Sequence, residues 1–283
     1  MKPMRPSRGS GARLVLRAAL LLAVVMPLAF CAPARAQSFV PGPKYDLPVG
    51  GQPTCVRFAD LNGDGKLDMI SGIANASVSV RLGDGAGSFG VTTNYPTPAW
   101  VQELAIADVN GDGRLDVVAT YASGGPQGVS VFLGDGAGGL GPATNFAASG
   151  SPEGIAIADL NGDGKPDLVF ANGGSNSISV MLGDGAGGFG PRTVFAAGQF
   201  PWGIAVGDLN GDGIPDVAVA NINGGGIGVC FGDGHGGLSP MTLLATAYNP
   251  RDVAIADLNG DGKLDLVAAC AGISDAVPPA GRS

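Results

Sequence analysis

One histidine, His235, and four cysteines occur in 283 residues, and only 14% of the chain is charged and 6% aromatic. Each shortage excludes something. A single histidine leaves no pair to hold zinc, and no Cys and His fall at zinc spacing. Cys31 lies in the apolar N-terminal stretch. Cys55, Cys230 and Cys270 remain, an odd number, so this is no disulfide scaffold, although one bridge fits an oxidising compartment. Cys230 takes a position filled by Arg81, Phe132 and Met181 elsewhere in the chain and reads as an apolar strand residue. Lys and Arg number 16, six of them before residue 36, so the basic footprint of a nucleic-acid binder is absent. Beyond Phe30 no stretch approaches the roughly 20 apolar residues of a membrane span.

The N-terminus reads as a leader. Residues 1–17 carry Lys2, Arg5, Arg8, Arg13 and Arg17 and no acid; Ala18 to Phe30 is an apolar run; Ala34-Arg35-Ala36 gives a small-x-small cleavage pattern. The sequence therefore predicts a signal peptide over residues 1–36 and a mature chain over 37–283 that is secreted, periplasmic or on the cell surface. Without the leader, the 16 basic residues fall by six to ten against 24 acids, a formal charge of −14.

Those acids are concentrated. The nine residues Asp159-Leu-Asn-Gly-Asp-Gly-Lys-Pro-Asp167 represent a pattern that occurs five times, starting at Asp60, Asp108, Asp159, Asp208 and Asp257, with spacings of 48, 51, 49 and 49. Fifteen aspartates lie in these loops. Four more, Asp84, Asp135, Asp184 and Asp233, sit in Gly-Asp-Gly turns. The 50 glycines and 21 prolines recur in register and separate short apolar runs, so they mark repeats rather than disorder.

The third repeat gives the plan. Gly154–Ala158, Asp167–Ala171, Ile178–Leu182 and Arg192–Ala196 are runs of about five residues, each closed by turn chemistry. Four strands per 49 residues is the size of a propeller blade. The fold class is all-β: a β-propeller of four-stranded blades, with four complete repeats and a partial fifth, and an open stacked β-array as the alternative. Strands apolar on both faces suit a sheet packed between two others. The segment Phe39–Val49 resembles a fourth-strand region and suggests an outer strand that completes the last blade. The fifth repeat has two strands, Val253–Ala256 and Leu266–Cys270, which points to a five-bladed ring with a defective blade or, preferably, to a piece of a longer chain.

Alternate residues of a tight loop point inward, so positions 1, 3, 5 and 9 can supply oxygen side chains and position 7 a carbonyl, a set that suits the hard cation Ca²⁺. In the first loop these are Asp60, Asn62, Asp64, Asp68 and the Lys66 carbonyl; in the second Asp108, Asn110, Asp112, Asp116 and the Arg114 carbonyl. The third has Asp159, Asn161, Asp163, Asp167 and the Lys165 carbonyl; the fourth Asp208, Asn210, Asp212, Asp216 and the Ile214 carbonyl; the fifth Asp257, Asn259, Asp261, Asp265 and the Lys263 carbonyl. Up to five Ca²⁺ ions are expected. An EF-hand opens similarly but closes with Glu at position 12 between helices, whereas these loops close with Asp at position 9 between strands. The Gly-Asp-Gly segments read as hairpin turns, and His235 as a solvated turn residue.

The loops, the Gly-Asp-Gly-Ala-Gly-Gly-Phe-Gly-Pro turns and the period together resemble the FG-GAP/VCBS repeat family, which includes the head of integrin α subunits and many secreted bacterial surface proteins. The resemblance covers residues 39–270. It implies a β-propeller, usually of seven blades, with Ca²⁺ in the loops between the first two strands of a blade. This chain has fewer than five full repeats.

Successive hairpins alternate between the two ends of a blade. The Asp loops and the Gly-Asp-Gly turns are thus expected at one end, and the segments between blades at the other. The latter vary most and contain Trp100, Glu103, Glu153, Trp202, Tyr248 and Arg251. Aromatic groups beside polar ones suit a glycan or a protein surface. The expected function is a calcium-binding module for binding or adhesion to an extracellular protein or glycan, not an enzyme. The alternatives are an enzyme acting on polysaccharide through Glu103 and Glu153, or a purely structural segment of a larger surface protein.

Overall fold

The computed structural model describes residues 51–148, 150–246 and 249–271. The leader, the segment Phe39–Val49, Tyr248 and the tail from residue 272 lie outside the described residues.

Strands come in sets of four. The first unit holds β1 (Pro53–Ala59), β2 (Asp68–Ile73), β3 (Ser77–Arg81) and β4 (Thr93–Pro96); the second β5 (Val101–Ala107), β6 (Asp116–Tyr121), β7 (Gly128–Phe132) and β8 (Thr144–Ala147). The third holds β9 (Pro152–Ala158), β10 (Asp167–Asn172), β11 (Ser177–Met181) and β12 (Thr193–Ala196); the fourth β13 (Pro201–Gly207), β14 (Asp216–Asn221), β15 (Gly226–Cys230) and β16 (Thr242–Ala245). A fifth unit has β17 (Asn249–Ala256) and β18 (Asp265–Ala271). Each of the first four is an antiparallel meander with strands in chain order, and β17 pairs with β18. The described residues contain no α-helix, only a 3-10 turn at Gly173–Ser175.

The residues explain the layering. Every residue of β6, β10 and β14 is buried, on both faces of the sheet. The outer strands β4, β8 and β12 bury only part of their third residue, Tyr95, Phe146 or Phe195. Apolar layers therefore form between units rather than at one centre. Cys55, Ile70 and Val78 of the first unit pack with Leu104, Val117 and Phe132 of the second. Val118 and Val131 then meet Leu168 and Phe170, and Val169 and Ile178 meet Val217 and Cys230. Burying one such side chain contributes roughly 1.5–3 kcal/mol. Phe146 and Phe189 meet edge-on across a junction at 5.6 Å, and the Tyr95 hydroxyl accepts the Leu140 amide across another at 3.0 Å.

The first strands line one side of this stack: β1 packs on β5, β5 on β9, β9 on β13 and β13 on β17. No such packing joins the first unit to the fifth, and among the described residues the series is not a closed ring. Cys55 and Cys230 are buried and Cys270 exposed, all three as free thiols; burial pushes the Cys230 thiol up to about 11 and Cys55 higher still.

Candidate functional site: two ends of a repeated blade

The Asp loops connect the first two strands of each unit and, in the four complete units, the Gly-Asp-Gly turns connect the last two, so both lie at the same end of those four sheets. In the first loop Asp60 Oδ1 and Asn62 Oδ1 both accept the Asp64 amide at 3.1 Å, Asp60 Oδ2 accepts the Gly65 amide at 2.7 Å, and Asp64 Oδ1 accepts the Lys66 amide at 2.9 Å. The pairs Asp108/Asn110, Asp159/Asn161 and Asp208/Asn210 share the amides of Asp112, Asp163 and Asp212 in the same way, and Asn259 accepts the Asp261 amide. Gly63 and Gly65 have φ of 73° and 78° with open space where a side chain would stand. Backbone conformation, not crowding, requires glycine there.

At the first aspartate of the last two loops these bonds favour the charged form. The Gly213 amide, followed by those of Gly211, Asp212 and Asn210, holds Asp208 below the ordinary carboxylate range; Gly262 leads the corresponding group at Asp257. Two loops recruit their own cation: Lys66 Nζ lies 3.2 Å from Asp64 Oδ2, and Lys165 Nζ 3.7 Å from Asp163 Oδ2. Exposed pairs of this kind contribute little to stability, but they mark where positive charge is drawn. The oxygen-only donor set fits a hard cation. Among the described residues, however, no three acidic, histidine or cysteine side chains converge on one point. The loop oxygens face loop amides instead. The carbonyls of Lys66, Arg114, Lys165, Ile214 and Lys263 occupy position 7, within the exposed or half-buried part of each loop.

Position 9 behaves differently from positions 1, 3 and 5. Asp68, Asp116, Asp167 and Asp216 are wholly buried. Each carboxylate bridges two backbone amides, one from its own loop and one from the Gly-Asp-Gly turn. Asp167 Oδ2 accepts Leu160 N at 2.9 Å and Oδ1 accepts Gly183 N at 2.8 Å; Leu61/Gly83, Val109/Gly134 and Leu209/Gly232 serve the other three. Burial raises Asp116 and Asp167 above the usual range, and their bridged amides oppose this. A side chain at Gly183 would collide with the Pro166 carbonyl oxygen, as it would at Gly83, Gly134 and Gly232 with the residues before their aspartates. The two motifs recur together because they are one packed unit. The Gly-Asp-Gly turns themselves are closed hairpin turns, as expected: Asp184 Oδ1 accepts the amides of Ala186 and Gly188 at 2.7 and 2.9 Å. His235 is exposed in the fourth of them.

The other end is built from bulges. In every unit the first strand carries an irregularity opposite the second. Thr54, Gln102 and Arg251 are the unpaired residues in the first, second and fifth units, and Glu153-Gly154 and Trp202-Gly203 stand opposite one residue in the third and fourth, so the position six before the loop's first aspartate lies in the bulge each time. A bulge takes a residue out of the ladder and re-aims its side chain. Thr54 and Gln102 were missed by sequence reasoning. Their offset from the loop was available, but the bulge that gives the offset meaning was not. The predicted first strand of the third repeat, Gly154–Ala158, also extends back to Pro152.

The side chains expected at this end are only partly brought together. Trp100 is 48% exposed, and its amide donates to the Ser123 carbonyl at 3.3 Å. Trp202 stacks on Phe200, with ring centroids 5.9 Å apart and planes at 27°. Glu103 Oε1 pairs with Arg57 Nη2 at 3.1 Å, a contact across the first junction. Glu153 is 6% exposed; its Oε1 accepts the Ser151 hydroxyl at 3.0 Å, while Oε2 has no hydrogen-bond partner. Thr120 joins the two backbones, with its hydroxyl donating to the Glu153 carbonyl at 2.6 Å and accepting the Glu103 amide at 3.1 Å. Their carboxyl groups serve different partners. Arg251 is half-buried.

Burial pushes the Glu153 carboxyl up to about 7 from 4.5, with the Ser151 hydrogen bond opposing it. The folded chain therefore holds a proton that the unfolded chain releases. Stability linked to Glu153 is full below about pH 4.5, falls as pH rises and stays low above 7. Glu153→Gln removes this dependence. Relative to the parent, the variant is expected to gain up to about 3 kcal/mol between pH 4.5 and 8, read from urea midpoints at both pH values. Parallel profiles for the two proteins would contradict the assignment.

Sheets of four antiparallel strands, stacked with an Asp-rich loop after each first strand, define an Asp-loop repeat protein of the β-propeller type. A family model described as "FG-GAP-like repeat" matches residues 70–119, 108–170, 159–219 and 208–268. The chain belongs to the FG-GAP-like repeat family. A model described as "EF hand" matches residues 57–69, the first Asp loop, which β1 and β2 flank here instead of helices. A search of the curated proteins finds no match. Among solved structures, a functionally unknown protein from Desulfotomaculum acetoxidans DSM 771 superposes with TM-score 0.59 at 13% identity, covering 74% of this chain and 61% of that one. The Pseudomonas aeruginosa periplasmic gluconolactonase PpgL gives 0.55 at 22% identity, covering 77% and 57%. BBS1N, solved in complex with ARL6DN, gives 0.53 at 16% identity, covering 77% and 62%. The chain thus spans about three fifths of each, and at these identities the likeness concerns the fold.

Proposed function

We propose that this protein is a secreted, calcium-stabilised module for binding or adhesion, without catalytic activity, that takes an extracellular protein or glycan at the end opposite its Asp loops. The observation that carries this reading is the division of labour between the ends. One end repeats the same oxygen donors five times. The other changes its bulge residue in every unit, through Thr54, Gln102, Glu153, Trp202 and Arg251. A constant scaffold with variable loops is the usual arrangement of a binding surface. The leader-like first 36 residues support export. No helix among the described residues is long and apolar enough to cross a membrane. The distinct partners of the Glu103 and Glu153 carboxyls favour binding over general acid–base chemistry.

In such a module Asp60, Asn62, Asp64 and their equivalents would hold Ca²⁺, which would neutralise the two carboxylates at positions 1 and 5 of each loop. Calorimetric titration of residues 37–283 with Ca²⁺ is expected to give up to five equivalents, and Asp60→Asn/Asp64→Asn one fewer. Unchanged stoichiometry in that variant, or no heat at all, would contradict the assignment.

A further inference from the structure

We infer that the junction between the third and fourth units is a binding site for a neutral saccharide, with the Glu153 carboxyl as its polar contact and the Phe200–Trp202 pair as its stacking surface. This rests on the proposal that the bulged end is the binding end.

Strain is concentrated at this junction. Five described non-glycine residues have positive φ, and three of them, Ser151 (56°), Asn176 (53°) and Phe200 (51°), meet here. For a residue as bulky as phenylalanine this conformation is a genuine outlier, and such outliers cluster at ligand sites. Each is tied down by hydrogen bonds at the junction. The Phe200 amide donates to Asn176 Oδ1 at 2.8 Å, the Ser151 hydroxyl donates to Glu153, and the Gly173 amide donates to the Ser151 carbonyl at 3.0 Å. The strained backbone thus holds the carboxyl and the rings in place.

Gly173 lets them approach the same stretch of bare backbone. A Cβ there would stand 3.3 Å from Glu153 Cγ, 3.3 Å from the Pro201 carbonyl oxygen and 3.5 Å from Phe200 Cε1, tighter than an ordinary contact on its first two sides. Glu153 and the Phe200 ring thus flank one buried glycine. Glu153 Oε2 is buried there with no hydrogen-bond partner, an arrangement that native interiors rarely leave unexplained.

The chemistry favours a neutral ring compound. Across five units the bulge positions carry one acid and one base, Glu153 and Arg251, while the loop acids lie at the far end. With its carboxyl near half protonation at neutral pH, Glu153 can both donate to and accept from a hydroxyl. Trp202 offers a flat apolar face for the C–H side of a sugar ring. Among the described residues Trp100 is the one largely exposed hydrophobic side chain at this end. Exposed apolar side chains are thus sparse among the described residues of this end.

Trp100 and Trp202 are the only tryptophans, so Trp100→Phe makes Trp202 the sole reporter. The full 37–283 chain carrying that change, saturated with Ca²⁺, is titrated with neutral gluco-, manno- and galacto-hexaoses. At least one is expected to shift Trp202 emission. In the Trp100-containing protein, affinity electrophoresis in the matching polysaccharide is expected to show at least tenfold weaker binding for Trp202→Ala and for Gly173→Ala. The latter crowds Glu153 and the Phe200 ring without removing either side chain, and both variants should keep the parent calcium-dependent melt. Three results would overturn the inference. If no hexaose shifts Trp202 while poly-L-lysine does, the end binds basic protein and the broader reading survives. If a saccharide binds and Trp100→Ala removes it while Trp202→Ala does not, the broader reading also survives with the site elsewhere. If neither probe binds, both readings of this end fail while the calcium stoichiometry stands on its own titration.

Discussion

Replacing Asp167 with alanine is expected to destabilise the chain by about 2–6 kcal/mol, and to do so in chelator as well as in calcium. The reason is geometric. Asp167 is 0% exposed and accepts two backbone amides, Leu160 N and Gly183 N. Alanine leaves both donors buried without an acceptor, at about 1–3 kcal/mol each. Asp167→Asn keeps one acceptor oxygen and is expected to fall between the two. Asp265 provides the internal contrast. It accepts Leu258 N at 3.0 Å and is only half-buried at the end of the stack. The same substitution there should cost about half as much. Urea midpoints in EGTA at constant slope measure this. A loss below about 1 kcal/mol for Asp167→Ala in EGTA would mean that the residue acts only through metal.

This separates two functions that the sequence merges. The ninth-position acid occurs in all five loops, and its regular spacing suggests a ligand set shared with positions 1, 3 and 5. Spacing carries no record of where an oxygen points. The buried bridge to Gly83, Gly134, Gly183 or Gly232 depends on a contact between segments about 16 residues apart, and no periodic pattern encodes it.

Much of the fold was legible for the opposite reason. Runs such as Ile178–Leu182, closed by Gly-Asp-Gly, are local signals, and the observed strand Ser177–Met181 follows them within a residue. Burial on both faces of β10 follows from Leu168, Val169 and Phe170 in succession, since a strand with one wet face would alternate. The bulges were not legible, because Glu153 and Trp202 precede glycine without any turn signal of their own. Aromatic and acidic residues drew attention to them, while the equivalent Thr54 and Gln102 passed unnoticed. The sequence pairs Glu103 with Glu153 as candidate acids. The bulge register separates them: Glu103 faces Arg57 across the first junction, and Glu153 lies beside Gly173 and Phe200 at the third.

Calcium binding is the central claim, and its expected effect on stability is larger still. Without metal, the carboxylates at positions 1 and 5 of each loop repel one another, by about 4 kcal/mol for a unit pair 4 Å apart at an effective dielectric of 20. In this structure only amides, and lysine in two loops, offset that repulsion. A melt of residues 37–283 in EGTA and in Ca²⁺ at 100 times Kd tests this most directly. Saturating Ca²⁺ is expected to add about 2.7 kcal/mol of stability per independent loop, with the melting temperature rising roughly 2–4 °C for each kcal/mol. Superimposable melts in EGTA and in saturating Ca²⁺ would contradict it.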